Sequence, residues 1–317
     1  MDNLTHSLVG AVLGQAGLKK KTGLAMPALI IGANLPDVDA ACFFWLEGTE
    51  HLGFRRGITH GPPAMVLLPL ILAGLLWAFD RWQTKRGKLP EGRLPVHFGW
   101  LYALSFIGCL SHPALDWLNV YGIRLLEPFS SQWFYGDTLF IIDVWLWALL
   151  IVSLWWSRRR EKRGGEWMRP ARLGIVVMLA YIGVNGAITH GRLELWDGPG
   201  AMRISMPVPL LFWEREVVRV GRNWPDMASE AAQIPYLQSE GRPLIDPKLR
   251  CAMPDLTEAR RTNSQLEAFL FWSRAPFAVR ADDGSVILYD ARFYDPRARG
   301  RFSVALPDVK CEELDSD

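Results

Sequence analysis

Ser111-His112-Pro113-Ala114-Leu115-Asp116-Trp117 closes an apolar run that begins near Phe98. The run is long enough to enter a bilayer, and its last turns carry an imidazole and a carboxylate four residues apart. That spacing puts both groups on one face of a helix, one turn apart. Ionisable side chains inside a membrane segment are costly and mark function. This stretch therefore sets two expectations together: a helical membrane domain, and a metal-type ligand pair at one end of it.

Further apolar runs lie on either side, and six candidate spans emerge, at residues 4–18, 24–35, 62–79, 98–118, 140–156 and 173–188. About 20 apolar residues cross a bilayer. The third to fifth runs meet that standard and the sixth nearly does. The first two are shorter and read as a helical hairpin packed against the others. Many of the 15 Trp, including Trp45, Trp77, Trp82, Trp100, Trp117, Trp155 and Trp156, stand at the ends of these runs, as in the aromatic belts of membrane interfaces.

Loop charge sets the expected orientation. Lys19, Lys20 and Lys21 follow the first run, five basic residues from Arg81 to Arg93 follow the third, and seven from Arg158 to Arg172 follow the fifth. The alternate loops hold only Arg55, Arg56 and Arg124. The positive-inside rule then assigns the basic loops to the cytoplasm and both termini to the outside of a bacterial inner membrane. A net charge of +2 gives no sign of a nucleic-acid partner.

From about His190 the composition becomes that of a soluble polypeptide. Residues 210–220 and 301–306 read as strands and 255–272 as largely helical. Asp282-Asp283-Gly284 reads as the turn of a hairpin between 277–281 and 285–289. The expected architecture is mainly α: a polytopic helical membrane domain over 1–189, then a small extracytoplasmic α+β domain over 190–317. Cys251 and Cys311 both fall in that second domain, where disulfides persist, and are expected to pair. Spacing alone leaves two unpaired thiols as the alternative.

The expected topology gathers the polar residues on one face. His6, Asp37, Asp39, His60, His112, Asp116 and Asp143 all come at the outer ends of their runs. Singly, each has a bland reading as a cap, a loop carboxylate or a buried hydrogen bond. Together, three imidazoles and several carboxylates suit a divalent metal, one or two zinc ions, or manganese or iron if carboxylates dominate. His6, Asp37, Asp39, His60, His112 and Asp116 are the candidate ligands. Asp39 or Asp143 is the candidate proton acceptor, and Asp143 is also a candidate for orienting a liganding His. Arg55, Arg56 and Arg124 are candidates for binding an anionic substrate, because a guanidinium matches phosphate geometry.

The motifs Asp2-Asn3-Leu4-Thr5-His6-Ser7, Asn34-Leu35-Pro36-Asp37-Val38-Asp39, Arg56-Gly57-Ile58-Thr59-His60-Gly61 and His112-Pro113-Ala114-Leu115-Asp116-Trp117-Leu118-Asn119 carry a resemblance. As a set they resemble the bacterial family of membrane-bound metal-dependent hydrolases, which includes LexA-regulated inner-membrane proteins. The arrangement is distantly similar to that of zinc-dependent phospholipase C. It departs from that enzyme at the N-terminus, where the phospholipase ligates through a Trp and this sequence reads Met1-Asp2-Asn3. The resemblance implies a metal-dependent hydrolase, and the paired metals and nearby arginines favour a phosphoester of a lipid or lipid-linked substrate. The rival expectations are a metal-ion or proton-coupled transporter and a metal-stabilised membrane scaffold.

Overall fold

The computed structural model describes residues 1–194, 201–221, 236–238, 249–295 and 298–312. The chain divides into two compact units. The first comprises Met1–Asp39, Arg56–Gly186 and Pro209–Phe212; the second comprises Ala40–Arg55, Ala187–Val208 and Trp213–Asp317.

In the first unit, α1 (Asn3–Gln15) starts where the Asp2 carboxylate accepts the backbone N–H groups of Leu4 and Thr5, an N-cap that satisfies two otherwise orphaned donors. It ends before Gly17, whose φ of 129° no other residue adopts readily. The short α2 (Ala25–Gly32) follows. In the second unit, α3 (Glu50–Phe54) packs on a helix described below. Back in the first unit, α4 (Pro62–Lys85) opens with two prolines, which the first helical turn tolerates because its N–H groups lack partners anyway. The helices α5 (Phe98–Trp117) and α6 (Val144–Lys162) come next, and α7 (Met168–Glu194) runs on from the first unit into the second.

Within the first unit, α2 packs on α5 and α1, α4 on α5, and α6 on α1. One buried cluster joins Leu29, Leu72, Leu101 and Leu104. A second joins Leu8, Val12, Leu146, Leu150 and Met178. The α2 backbone is held from both sides by glycines. A Cβ at Gly10 of α1 would lie 2.7 Å from the Leu29 carbonyl oxygen, and one at Gly108 of α5 would lie 2.6 Å from the same atom. Small residues at helix contacts let backbones approach closely, the usual device of membrane bundles.

The expectation of six spans is not supported. Among the described residues, three helices are long and apolar enough to cross a membrane: α4, α5 and α7. There are up to four if α2 and the 3-10 segment Leu35–Phe44, bent 50° from it, form one broken span. Of the others, α1 fails on length and α6 on charge. The 13 residues of α1 rise only about 20 Å, against a hydrocarbon core of roughly 30 Å. Residues 140–143 lie before α6, which then turns charged at Arg158-Arg159-Arg160. Its apolar length is therefore also about 20 Å.

The second unit is α+β. The strands β1 (Ala201–Pro207), β2 (Arg215–Gly221) and β3 (Tyr236–Gln238) form one antiparallel sheet. The strands β4 (Arg250–Cys251), β5 (Pro276–Arg280), β6 (Ser285–Asp290) and β7 (Ser303–Lys310) form another. Asp282-Asp283-Gly284 turns β5 into β6, with Gly284 at φ 81°. The helical stretch expected over 255–272 is two helices, α8 (Thr257–Thr262) and α9 (Ser264–Trp272). Asn263 separates them because its side chain caps α9 at the Leu266 N–H. The Thr49 hydroxyl donates to the Gln265 carbonyl where α3 meets α9. That contact assigns 40–55 to the second unit, although these residues fall within the expected membrane domain. Cys251 and Cys311 form a disulfide.

Candidate metal centre

The first unit has two chemically different ends. The N-terminus of α1, the residues following α2 and preceding α4, and the C-terminus of α5 meet at one end and bring the histidines together. The C-terminus of α1, its following 3-10 turn, and the C-terminus of α6 meet at the other. There Lys19 pairs with Glu161 at 2.5 Å.

At the first end, His6, His112 and Asp116 are fully buried and His60 is 1% exposed. Two trios of potential ligand atoms form, His6–His112–Asp116 and Asp37–His60–His112, each with its atoms within 4.8 Å of one another. The Asp116 carboxylate is the hub. Its Oδ1 lies 3.3 Å from His6 Nε2, and its Oδ2 lies 3.5 Å from His112 Nε2 and 3.8 Å from His60 Nε2. Asp37 Oδ1 lies 3.8 Å from His112 Nε2. A tetrahedral shell with zinc bonds of about 2.0–2.1 Å sets its ligand atoms roughly 3.3–3.4 Å apart. The observed spacings fit such a shell with small adjustments.

Ring orientation supports the same reading. His112 Nδ1 is 2.7 Å from the Ala33 carbonyl oxygen. A carbonyl only accepts, so Nδ1 carries a proton, which leaves Nε2, facing Asp116, as the nitrogen a neutral ring would offer to a metal. Thr59 Oγ1 donates to Asp39 Oδ2 at 3.2 Å and lies 3.0 Å from His60 Nδ1. With its one hydrogen committed to Asp39, the hydroxyl accepts from His60 Nδ1–H, which leaves Nε2 as the nitrogen a neutral ring would offer to a metal. The His6 and His112 rings stack 3.8 Å apart. Among the described residues, neither nitrogen of His6 meets hydrogen-bond geometry with a partner, nor does His112 Nε2, although both rings face Asp116. Buried polar atoms without such partners call for an explanation, a bound ion being one. An imidazole nitrogen has one lone pair, so His112 can serve only one cation. Two ions would have to divide the ligands and share Asp116, whose two oxygens face different histidines.

The other sequence candidates fall elsewhere. Asp39 is in neither trio. Its Oδ2 accepts the Arg56 backbone N–H at 2.8 Å and the Thr59 hydroxyl, so it supports the ligands from behind. Arg56, expected to bind substrate, is buried. Its Nε lies 3.0 Å from Asp116 Oδ2, and its Nη1 donates to Asn119 Oδ1 at 3.0 Å. Its guanidinium stacks over Tyr121. The Met1 amino group pairs with Asp116 as well. Arg124 pairs with Glu127 at 2.7 Å and lies over Trp133. Arg55 belongs to the second unit, where it lies over Phe43. Asp143 caps α6 at the Leu146 N–H and accepts the Tyr181 hydroxyl at 3.0 Å.

Sequence reasoning missed Asn119, Thr59 and the Ala33 carbonyl. Asn119 stands three residues after Asp116, and Thr59 directly before His60, so adjacency to a ligand was the available signal. The Ala33 carbonyl carries none, because any residue supplies one.

The comparisons with known proteins concern mainly this first unit. The chain is 25% identical over 167 residues to the "Uncharacterized protein YfhP" of Bacillus subtilis (strain 168). The match covers 50% of this chain and 47% of that protein, so the chain spans about half the length of this curated relative. No solved structure matches it. The family described as YdjM inner membrane protein matches residues 1–191, which include every residue of the histidine–aspartate cluster. With this match over more than half its length, and with helices able to cross a bilayer, the chain belongs to the YdjM inner membrane protein family.

Proposed function

We propose that this inner-membrane protein is a metal-dependent hydrolase acting on a phosphoester of a lipid or lipid-linked substrate. The observation that carries the reading is the buried cluster of three imidazoles around Asp116, with the Nε2 atoms of His60 and His112 presented to the carboxylate. Zinc, or manganese or iron, held by His6, His60, His112, Asp116 and Asp37 would supply a water of lowered pKa and polarise the bond under attack. Asp37, with a side chain 12% exposed, marks the side from which a substrate enters. It is also the carboxylate best placed to take a proton from that water. Asp39 and Arg56 are positioning residues in this scheme, holding His60 and Asp116 respectively. Asp143 takes no part. Preference for a phosphoester draws on the shared Asp116 hub and the membrane setting more than on the arginines, which are engaged elsewhere.

The proposed orientation puts the metal centre and the second unit outside the cytoplasm, because the lysine- and arginine-rich end of the bundle is the opposite one. A disulfide in the second unit agrees with an oxidising compartment.

Metal analysis of the purified full-length protein, run beside turnover of a panel of phospholipids and generic phosphodiesters, tests the proposal. Wild type is expected to carry one or two equivalents of metal, His112→Ala and Asp116→Asn to lose them, and Asp37→Asn to lose turnover faster than metal. Metal-free wild type, or a metal content untouched in His112→Ala, would sink the reading. The burial of His6, His112 and Asp116 favours a second reading, a closed structural metal site. Stoichiometric metal without turnover of any substrate in the panel would select it.

A further inference from the structure

A groove of about 530 Å³ runs along the first unit between α1, α2 and α6, away from the metal centre. Its volume lies within the roughly 300–1,000 Å³ of small-molecule sites. One stripe of α1 forms the floor: Ser7, Ala11 and Gln15, spaced four residues apart and continued by Lys19. Ile30 of α2 and Leu154 of α6 line its apolar walls.

The two ends of the groove differ in chemistry. The Ser7 end is neutral, and Ser7 accepts a hydrogen bond from Asn34 Nδ2 at 3.0 Å. The other end holds Lys19, Arg158 and Glu161. Lys19 bridges to Glu161 and also lies 4.2 Å over the Trp167 ring. Arg158 is exposed and has no hydrogen-bonded partner among the described residues. Of the neighbouring basic residues, Lys20 lies over Trp167, Lys21 over Trp100, Arg159 over Trp155 and Arg160 over Trp156, so the groove end itself carries the two cations and the Glu161 carboxylate, a net positive charge. From Ser7 to Gln15 the floor rises about 12 Å, and Lys19 extends it toward the ~15 Å depth of one leaflet.

We propose that this groove holds one acyl chain of an anionic glycerophospholipid, with its phosphate on Arg158, beside the Lys19–Glu161 pair. Charge decides the direction. A lipid lying the other way would press its terminal methyl against Gln15, Lys19 and Glu161, and would leave its phosphate at an end with no cation lining the groove. A lipid in the stated direction puts methylenes on Ala11, Ile30 and Leu154 and a negative group on the cations. Its headgroup is then at the opposite end of the bundle from the histidine cluster. The site is thus separate from any substrate of the metal centre and does not depend on the reading of that centre.

Native mass spectrometry of the full-length protein in mild detergent, titrated with phosphatidylglycerol or with phosphatidylcholine of the same acyl length, reads the site directly. Wild type is expected to retain one phosphatidylglycerol about tenfold better than phosphatidylcholine. Arg158→Gln, at an exposed position, is expected to cut that preference several-fold. Leu154→Trp, checked for folding by its melting temperature, is expected to remove the bound lipid of either type by filling the groove. Equal retention of the two lipids by wild type, or an unchanged preference in Arg158→Gln, overturns the proposal. So does unchanged lipid retention in a folded Leu154→Trp.

Discussion

His112 Nδ1 lies 2.7 Å from the carbonyl oxygen of Ala33, across the contact between α5 and the end of α2. This bond fixes the tautomer of the ring and aims its Nε2 at Asp116. Hydrogen bonds behind a metal-binding histidine set both its orientation and its basicity. The polar environment of the cluster is thus built from backbone as well as side chains, and its parts respond differently to substitution.

Arg56 is expected to be among the least replaceable residues of the first unit. Arg56→Met would leave Asp116 Oδ2 and Asn119 Oδ1 without its guanidinium, and breaking one side of a buried ion pair costs about 3–5 kcal/mol. Arg56→Lys keeps the charge but loses the planar fork that reaches both partners. Thermal unfolding should show a large drop for Arg56→Met and a smaller one for Arg56→Lys. A substrate-binding role alone would instead leave stability unchanged and raise KM.

Asp143 should behave as a helix cap. Asp143→Ala removes the acceptor for Leu146 N–H and Tyr181 Oη, and loss of an N-cap costs roughly 0.5–2 kcal/mol. Metal content should stay at the wild-type level, measured on the same preparation. A loss of metal without loss of stability would place Asp143 in the centre after all.

Asp290 makes the second unit acid-sensitive. Burial, the largest single effect, would raise its pKa, but the Arg292 charge opposes this. Hydrogen bonds from Arg292 and Ser273 add to that effect, so the carboxyl sits below its ordinary value. A depressed folded pKa means the stabilisation is complete above the unfolded value of about 4 and is lost as pH falls through the folded one. The acid limb of an unfolding curve for this unit should therefore steepen below about pH 4. Asp290→Asn should be less stable at neutral pH and flatter in acid.

The Cys251–Cys311 bond closes a sequence separation of 60 residues. Chain entropy for a loop of that size amounts to about 4 kcal/mol. Reduction, or the double Cys→Ser variant, is expected to lower the melting temperature of the second unit while leaving metal content unchanged. Faster migration of the unreduced protein on a denaturing gel would show the bond in material taken from cells.

Much of the centre could be read from spacing and order along the chain. His112 and Asp116 declare themselves by a four-residue interval inside an apolar run. His6, Asp37 and His60 join them because each ends or begins a run on the same side. Arg56 could not be read this way. Its φ of 56° is a left-handed turn before Gly57, and that turn accompanies a side chain folded back onto Asp116 rather than outward to a substrate. Asp143 misled for a related reason, since a cap and a ligand both precede a helix. The span count failed where runs of adequate hydropathy were too short as apolar helices: the run at 4–18 gives the 13-residue α1, and the helical part of 140–156 begins only at Val144. In the second unit, a local rule of turn chemistry located the β5–β6 hairpin, whereas the break at Asn263 depended on a single cap.

The two glycine contacts on the Leu29 carbonyl make α2 a gauge block. It is one backbone thick, with α1 pressed to one side at Gly10 and α5 to the other at Gly108. His6 lies four residues before Gly10, and His112 four residues after Gly108, each one helical turn from its contact. The 3.8 Å between their rings is therefore machined at a distance, by the thinnest possible shim between two helices. A single methyl group at either glycine would change the bite of the cluster without touching a ligand.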